Sequence, residues 1–418
     1  MKQITEQQIE QIIQKLNDRI DYANTYFLES IGSSIKKIKK LTPSQAQKLI
    51  QILKYDGSYE QIVNEIAKQT GLNVKDINEI FKQYAKKDQM FYRDFYKYRN
   101  KPFIPFEENV LLKRQTDALR KIAQNEMFNF TRNNVLGYSI KDLKGRVQFM
   151  GLRETYNRVL DEALLNVGRG EETFDQAMSS ILEQLGRSGL KTIDYESGRS
   201  VRLDSAIQMH LKGRLRELHN ENQKIIGEEI GADGVEISVH INPAPDHAPV
   251  QGRQFSDVKP NKKGLSEWEK LQAGKKAKAY NGKTYTLDHD HKNGYRPISE
   301  MNCYHYIFSI VLGVSKPEYD DEQLQKIIDD NEAGFDFEGK HYTNYQGTQM
   351  QRRLERAIRE QKDIQILAKS SDNTDLIQKS QSKIRILTEK YNKLNAASGL
   401  KPMKERLKVS GYRRTKIK

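Results

Sequence analysis

SGRSVRLDSAIQMHLKGRLRELHNENQKIIGEEIGADGVEISVH, residues 197–240, changes texture once, and that change decides the fold class. Up to Gly231 the stretch is a long amphipathic run of helical spacing, closed by a glycine where helices commonly stop. From Val235 to His240 apolar and polar residues alternate, as in a half-buried strand. A chain that is helical before such a junction and strand- and turn-rich after it reads as α+β, predominantly helical. The reading is a helical N-terminal half, a small loop-rich α+β central module, and a basic C-terminal helical hairpin and tail.

Towards the N-terminus the helical texture continues. Ile9, Ile12, Ile13, Leu16 and Ile20 recur at helical spacing, and Thr42-Pro43-Ser44 places a proline at a helix start with Thr42 as its cap. Residues 1–100 therefore read as a helical unit. Its last stretch, FYRDFYKYRN (91–100), admits two readings. Aromatics interleaved with cations can stack on bases and neutralise phosphates, or can form a core face with snorkelling cations. Lys101-Pro102 and Ile104-Pro105 break the helix, so a second helical region is set at 107–230. His210 and His219 lie on its long amphipathic run and read as packed or exposed side chains.

Towards the C-terminus, residues 231–345 form the turn-rich module and 346–418 a basic hairpin and tail. Leu354 and Ile358, then Ile377, Ile384, Leu387, Tyr391 and Leu394, follow helical spacing, interrupted at SSDNTD (370–375). The whole chain has 418 residues and a formal charge of +14, yet residues 351–418 alone hold 19 Lys+Arg against 7 Asp+Glu. That +12 segment follows a body of only +2. It is either the electrostatic footprint of a polyanion or a solvated positive face. Read as a polyanion surface, its cations are Arg352, Arg353, Arg356, Arg359, Lys404, Arg406, Lys408, Arg413, Arg414 and Lys416. The final residues, KPMKERLKVSGYRRTKIK, read as mobile.

One cysteine, Cys303, excludes an intrachain disulfide framework. No apolar run reaches the length of about 20 residues that spans a bilayer, and the start MKQITEQQIEQ lacks a secretion signal. The chain is therefore expected in a cytoplasm, without a membrane segment.

Chemistry concentrates between 240 and 305, which hold five of the eight histidines. His240, His247, Cys303 and His305 supply three imidazoles and a thiolate, the donor types for one structural Zn²⁺ in a loop-rich segment with little apolar material. The alternative is hydrogen bonding within a polar core. Asp288-His289-Asp290-His291, before Lys292-Asn293-Gly294, resembles the DHDH-x-x-G segment of the endonuclease VII-like nucleases. That resemblance implies a divalent-metal-dependent nuclease with Asp288, His289 and His291 as catalytic residues. The two CxxC pairs of those enzymes have no counterpart in a chain with one cysteine.

A second resemblance covers more of the chain. SGRSVRLDSAIQMHLKG (197–213), VEISVHINPAPDHAPVQGRQFS (235–256), ISEMNCYHYIFSIVLGVSKPEY (298–319) and HYTNYQGTQMQRRLERAIREQK (341–362) stand in that order. Together they resemble the minor capsid proteins of tailed bacteriophages, the group called phage minor capsid protein 2, related to the Mu F head-morphogenesis family. Arg253 stands where that pattern usually has lysine, and DHDHKNG replaces a Gly-rich loop. The resemblance implies a structural protein with no enzymatic activity, present in few copies in the capsid interior or at the portal vertex. It implies assembly in a bacterial cytoplasm and roles in head morphogenesis and genome packaging or ejection. Its partners would be the portal, other head proteins and packaged double-stranded DNA, the last through the basic tail.

Overall fold

A computed structural model describes the chain apart from residues 1–5, 56–57, 71–73, 133, 143, 195, 288–295, 300–302, 304 and 414–418. Helices α1 (Glu6–Lys39), α2 (Pro43–Tyr55), α3 (Ser58–Thr70), α4 (Val74–Phe91), α5 (Arg93–Tyr98) and α6 (Val110–Phe130) come first. Strands β1 (Leu136–Lys141) and β2 (Val147–Gly151), helices α7 (Leu152–Asn166) and α8 (Glu171–Ser188), and strands β3 (Lys191–Ile193) and β4 (Ser200–Arg202) follow. Helix α9 (Leu203–Ile230) leads into β5 (Gly234–Ile237), β6 (Gln254–Ser256), α10 (Glu267–Gln272), β7 (Ala277–Lys278), β8 (Thr284–Tyr285) and β9 (Ile307–Ile310). Helix α11 (Asp321–Ala333), the hairpin of β10 (Phe335–Phe337) and β11 (Lys340–Tyr342), then α12 (Asn344–Ser370) and α13 (Thr374–Ser398) complete the series. The fold is α+β and predominantly helical, as the texture of 197–240 implies. Two compact units share the chain: Met1–Glu10, Val74–Gln124 and Met209–Gln349 form the first, and Gln11–Asn73, Asn125–Gln208 and Met350–Lys418 the second. Each gathers stretches from several of the consecutive segments read from the sequence.

In the first unit, β5 is the centre of an antiparallel sheet ordered β6-β5-β9. Gly234 pairs with both Ser256 and Ile310, and a side chain there would meet Leu312 and the Phe255 carbonyl. Below the sheet lies a core of Val235, Ile237, Val250, Phe255, Leu271, Ala277, Ala279, Leu287 and Ile298, with the single tryptophan, Trp268, packed against it. The aromatic stretch 91–100 forms a core face: Tyr92 and Tyr96, one turn apart, are buried with Ile226 and Ile230 of α9, while Arg93 and Lys97 stay exposed. Helical spacing sends the aromatics inward and the cations outward, and each buried ring contributes about 2 kcal/mol.

In the second unit, the region read as helical between 107 and 230 also holds an antiparallel sheet ordered β2-β1-β3-β4. Strands β3 and β4 are three residues each, too short to leave a period-two pattern, which is why the sequence reading missed them. Close approach fixes two helix contacts. A Cβ on Gly186 of α8 would stand 2.7 Å from the Ile364 backbone nitrogen of α12, and one on Gly32 of α1 would stand 2.0 Å from Ser370 Oγ.

The hairpin read around 370–375 is present as α12 and α13, joined at Ser371-Asp372-Asn373. Leu354, Ile358, Tyr391 and Leu394 are buried in it. The segment after α13 is docked up to Arg413 rather than loose: Met403 N–H donates to Tyr391 Oη at 2.8 Å, Thr25 Oγ1 donates to the Ser410 carbonyl at 2.7 Å, and Val409 is buried.

Three carboxylates, Asp21, Asp204 and Asp363, are buried in this unit and meet two half-buried arginines. Arg359 of α12 lies 2.7 Å from both Asp21 of α1 and Asp204 of α9. Arg202 of β4 lies 3.4 Å from Asp204 and 3.5 Å from Asp363.

Candidate metal centre and basic surface

The first unit's sheet carries the chemically concentrated region at one end. After β5 the chain makes a compact helical turn, with Ala248 N–H bonded to the Ala244 carbonyl and Gln251 N–H to the His247 carbonyl. These bonds place Gln251 one turn beyond His247 on the same side, and buried Val250 anchors the turn in the apolar core. Gly252 then takes a φ of +68°, and its N–H returns to the Ile237 carbonyl. On the opposite flank of β5, Cys303 and His305 stand immediately before β9.

His247, Cys303 and His305 meet. One donor atom from each lies within 4.8 Å of the others, and all three residues are buried. Cys303 Sγ is 3.5 Å from His247 Nδ1 and 3.5 Å from His305 Nδ1. The distal nitrogens point away from the sulfur: His247 Nε2 donates to the Arg296 carbonyl at 2.9 Å, and His305 Nε2 to Gln251 Oε1 at 3.4 Å. Gln251 Oε1 also accepts the His240 backbone N–H at 2.9 Å, which fixes it as the oxygen of that amide. Asp246 stands 3.4 Å from His247 Nε2 and is gripped by the Arg296 guanidinium at 2.8 to 3.1 Å. Cys303 Sγ accepts two backbone N–H groups, from Ser299 at 3.2 Å and His305 at 3.4 Å.

Burial, reinforced by His240 and His247 nearby, pushes the His305 imidazole well below its usual range, so the ring is neutral. Burial likewise pushes the Cys303 thiol up, against the two backbone N–H groups that lower it. Two imidazoles and a thiol are the donor set of a soft or borderline divalent ion.

The family model for phage minor capsid protein 2 matches residues 4–395. The chain belongs to that family. The match takes in the N-terminal helices, which the four motifs between 197 and 362 do not reach. Neither a curated protein nor a solved structure matches the chain. As a phage minor capsid protein it is a virion component, and its partners include other components of the head. Among the described residues, no helix is long and apolar enough to cross a membrane.

In this minor capsid protein the candidate residues divide into three groups. His240 is beside the cluster, not in it: its ring packs edge-on against His305 with centroids 4.5 Å apart. Asp288, His289 and His291 lie outside the described residues. Of the ten basic residues, Arg353, Arg356, Lys404, Lys408 and Arg413 are exposed, and Arg352 and Arg406 are half-buried. Arg359 is spent in the buried charge cluster, and Arg414 and Lys416 lie outside the described residues. The supporting residues Gln251, Asp246 and Arg296 escaped the sequence reading. Asp246 could have been suspected from its place beside His247 in a proline-rich turn, whereas nothing in the local pattern marks Arg296.

Proposed function

We propose that this minor capsid protein is a low-copy structural component of the head, assembled in the host cytoplasm and placed at the portal vertex or capsid interior. There it takes part in head assembly and in genome packaging or ejection, and it contacts packaged duplex DNA without reading sequence. The observation that carries the DNA contact is the two-sidedness of the C-terminal hairpin and the segment after it. Leu354, Ile358, Tyr391 and Leu394 face inward, while Arg353, Arg356, Lys404, Lys408 and Arg413 face solvent. Cations on α12 and on the docked segment after α13, elements whose apolar residues are core, present charge at fixed positions to phosphates, and binding through them releases counterions.

Deleting the hairpin would remove core residues of the second unit, so the test is charge reversal at Arg353, Arg356, Lys404 and Lys408. Binding to duplexes of unrelated sequence is measured across a salt series. Every phosphate that the variant no longer neutralises should reduce the log–log slope by about 0.9. An unchanged slope in the folded variant would remove DNA from the partners of this protein. Co-purification of the variant with portal-containing heads reports separately on the place in the head.

A further inference from the structure

We infer that His247, Cys303 and His305 bind one zinc ion, through His247 Nδ1, His305 Nδ1 and Cys303 Sγ, and that this ion staples the turn after β5 to the segment entering β9. The inference is independent of the role in the head. Three observations carry it.

The first is spacing. Zn–S bonds of about 2.3 Å and Zn–N bonds of about 2.0–2.1 Å at tetrahedral angles put sulfur and nitrogen about 3.5 Å apart. Both Sγ–Nδ1 separations are 3.5 Å. The second is orientation. Each ring gives its Nε2 proton to a carbonyl oxygen, the Arg296 backbone or the Gln251 amide, which leaves Nδ1 as the lone pair that faces the sulfur. Ligating histidines are typically held this way, and Asp246 next to His247 Nε2 adds the usual carboxylate. The third is the sulfur itself. It accepts two backbone N–H groups, which hold it in place facing the two ring nitrogens. A thiol proton can point at one ring nitrogen at a time, whereas a cation at the centre serves all three atoms together.

On binding, the thiol proton leaves to solvent and the thiolate takes its place as ligand. Among the described residues no fourth donor joins these three, and His240 stacks on His305 beside them. The energetic reason for such an ion is local. Between β6 and β9 the described residues hold one six-residue helix, α10, and the strands β7 and β8 of two residues each. A metal joining residues 56 positions apart supplies the cross-link that so small a sheet lacks.

The test uses the full chain. Elemental analysis after exhaustive dialysis should give one zinc per chain. Replacement by Co²⁺ should give the absorption of a tetrahedral site together with a thiolate-to-cobalt charge-transfer band. Cys303→Ser should abolish that band, and His247→Ala should abolish stoichiometric binding. Asp246→Asn should weaken zinc about 10- to 100-fold in competition with a chromophoric chelator. His240→Ala and His341→Ala should retain the ion. Should the ligand variants fail to fold, the cobalt spectrum of the unaltered chain decides alone. No charge-transfer band in that chain, or full zinc in a folded His247→Ala, overturns the site. Loss of zinc in a folded His240→Ala overturns the three-ligand assignment.

Discussion

Arg359 and Asp21 are 338 positions apart in sequence, yet Arg359 Nη2 lies 2.7 Å from Asp21 Oδ1 inside the second unit. The same guanidinium holds Asp204, and Arg202 adds Asp363, so three carboxylates share two cations. Fully ionised, the cluster would carry one uncompensated negative charge in a buried site, and a proton removes it.

The stability of the chain should therefore fall as pH rises through neutrality. Burial raises Asp21 to about 7, with Arg359 opposing it and Asp204 and Asp363 adding to it. Burial raises Asp363 to about 6 against Arg202 and Arg359. Both stand above the usual carboxylate value of 3.8, so between that value and about 7 the folded chain binds more protons than the unfolded one. Stability present at the acid end is lost as pH rises. Asp204, held well below its usual range by Arg202 and Arg359 despite its burial, acts in the opposite sense and only on strong acidification. Asp363→Asn fixes one carboxyl neutral. Its melting temperature should gain on the unaltered chain between about pH 5 and pH 8; parallel curves for the two proteins would refute shared proton uptake. Arg359→Leu, which strands the carboxylates, should cost about 3–5 kcal/mol by denaturant unfolding at neutral pH.

In the first unit His219 plays a comparable structural part. Its Nδ1 is 2.9 Å from Asp88 Oδ1 and its Nε2 is 2.8 Å from the Ile307 carbonyl, and it is buried against Tyr84, Tyr306 and Phe308. His219→Ala leaves the buried Asp88 with only the longer contacts from Asn222 and Gln223. A loss of about 3 kcal/mol in denaturant unfolding is expected, while zinc content should be unaffected. A change below about 0.5 kcal/mol would mean that the pair is structurally idle.

Gly186 sets how closely α8 approaches α12. With backbone atoms of Ile364 2.7 to 2.8 Å from an added Cβ, neither helix can yield locally. Gly186→Val should destabilise the chain by about 1–3 kcal/mol, whereas the same change at Gly168, where no atom lies within 4 Å, should not show this overpacking. Equal effects at the two sites, measured by thermal unfolding, would contradict the close approach.

Asn373 caps α13 by accepting the Leu376 N–H at 3.0 Å, and its amide donates to the Asp175 carbonyl at 2.9 Å. The amide also donates to Ser179 Oγ at 3.2 Å, so Asn373→Ala removes three bonds and should cost about 1–2 kcal/mol. Asn373→Asp keeps the acceptor but not the donor, so it should recover part of that loss. No recovery would place the whole effect in the amide's bonds to Asp175 and Ser179.

The parts legible in the sequence were those with a long period or a sharp break. The run from Leu203 to Ile230, its stop at Gly231, and the hairpin gap after Ser370 all rest on local signals that span several turns. The sheet of β1 to β4 was hidden because its pairing is set by partners far along the chain, such as Leu136 with Thr192. Arg359 looks identical to Arg353 and Arg356 in sequence, since only the position of Asp21 and Asp204 in space makes it internal. Residue type alone pointed to His247, Cys303 and His305, but it could not show that His240 packs alongside them or that Gln251 and Arg296 set the direction of the rings.

The bond from Thr25 to the Ser410 carbonyl spans 385 positions, and with Asp21–Arg359 it bears on the order of events during synthesis. Helix α1 is synthesised more than 300 residues ahead of α12, yet its buried Asp21 and its close approach at Gly32 both have their partners in α12. The bonds that join α1 to α12 and to residue 410 cannot form until those residues have been made, so this part of the second unit closes late. A nascent chain stalled before α12 would leave Asp21 without its arginine, while Asn24 and Lys39 of the same helix could already meet Tyr138 and Asp175.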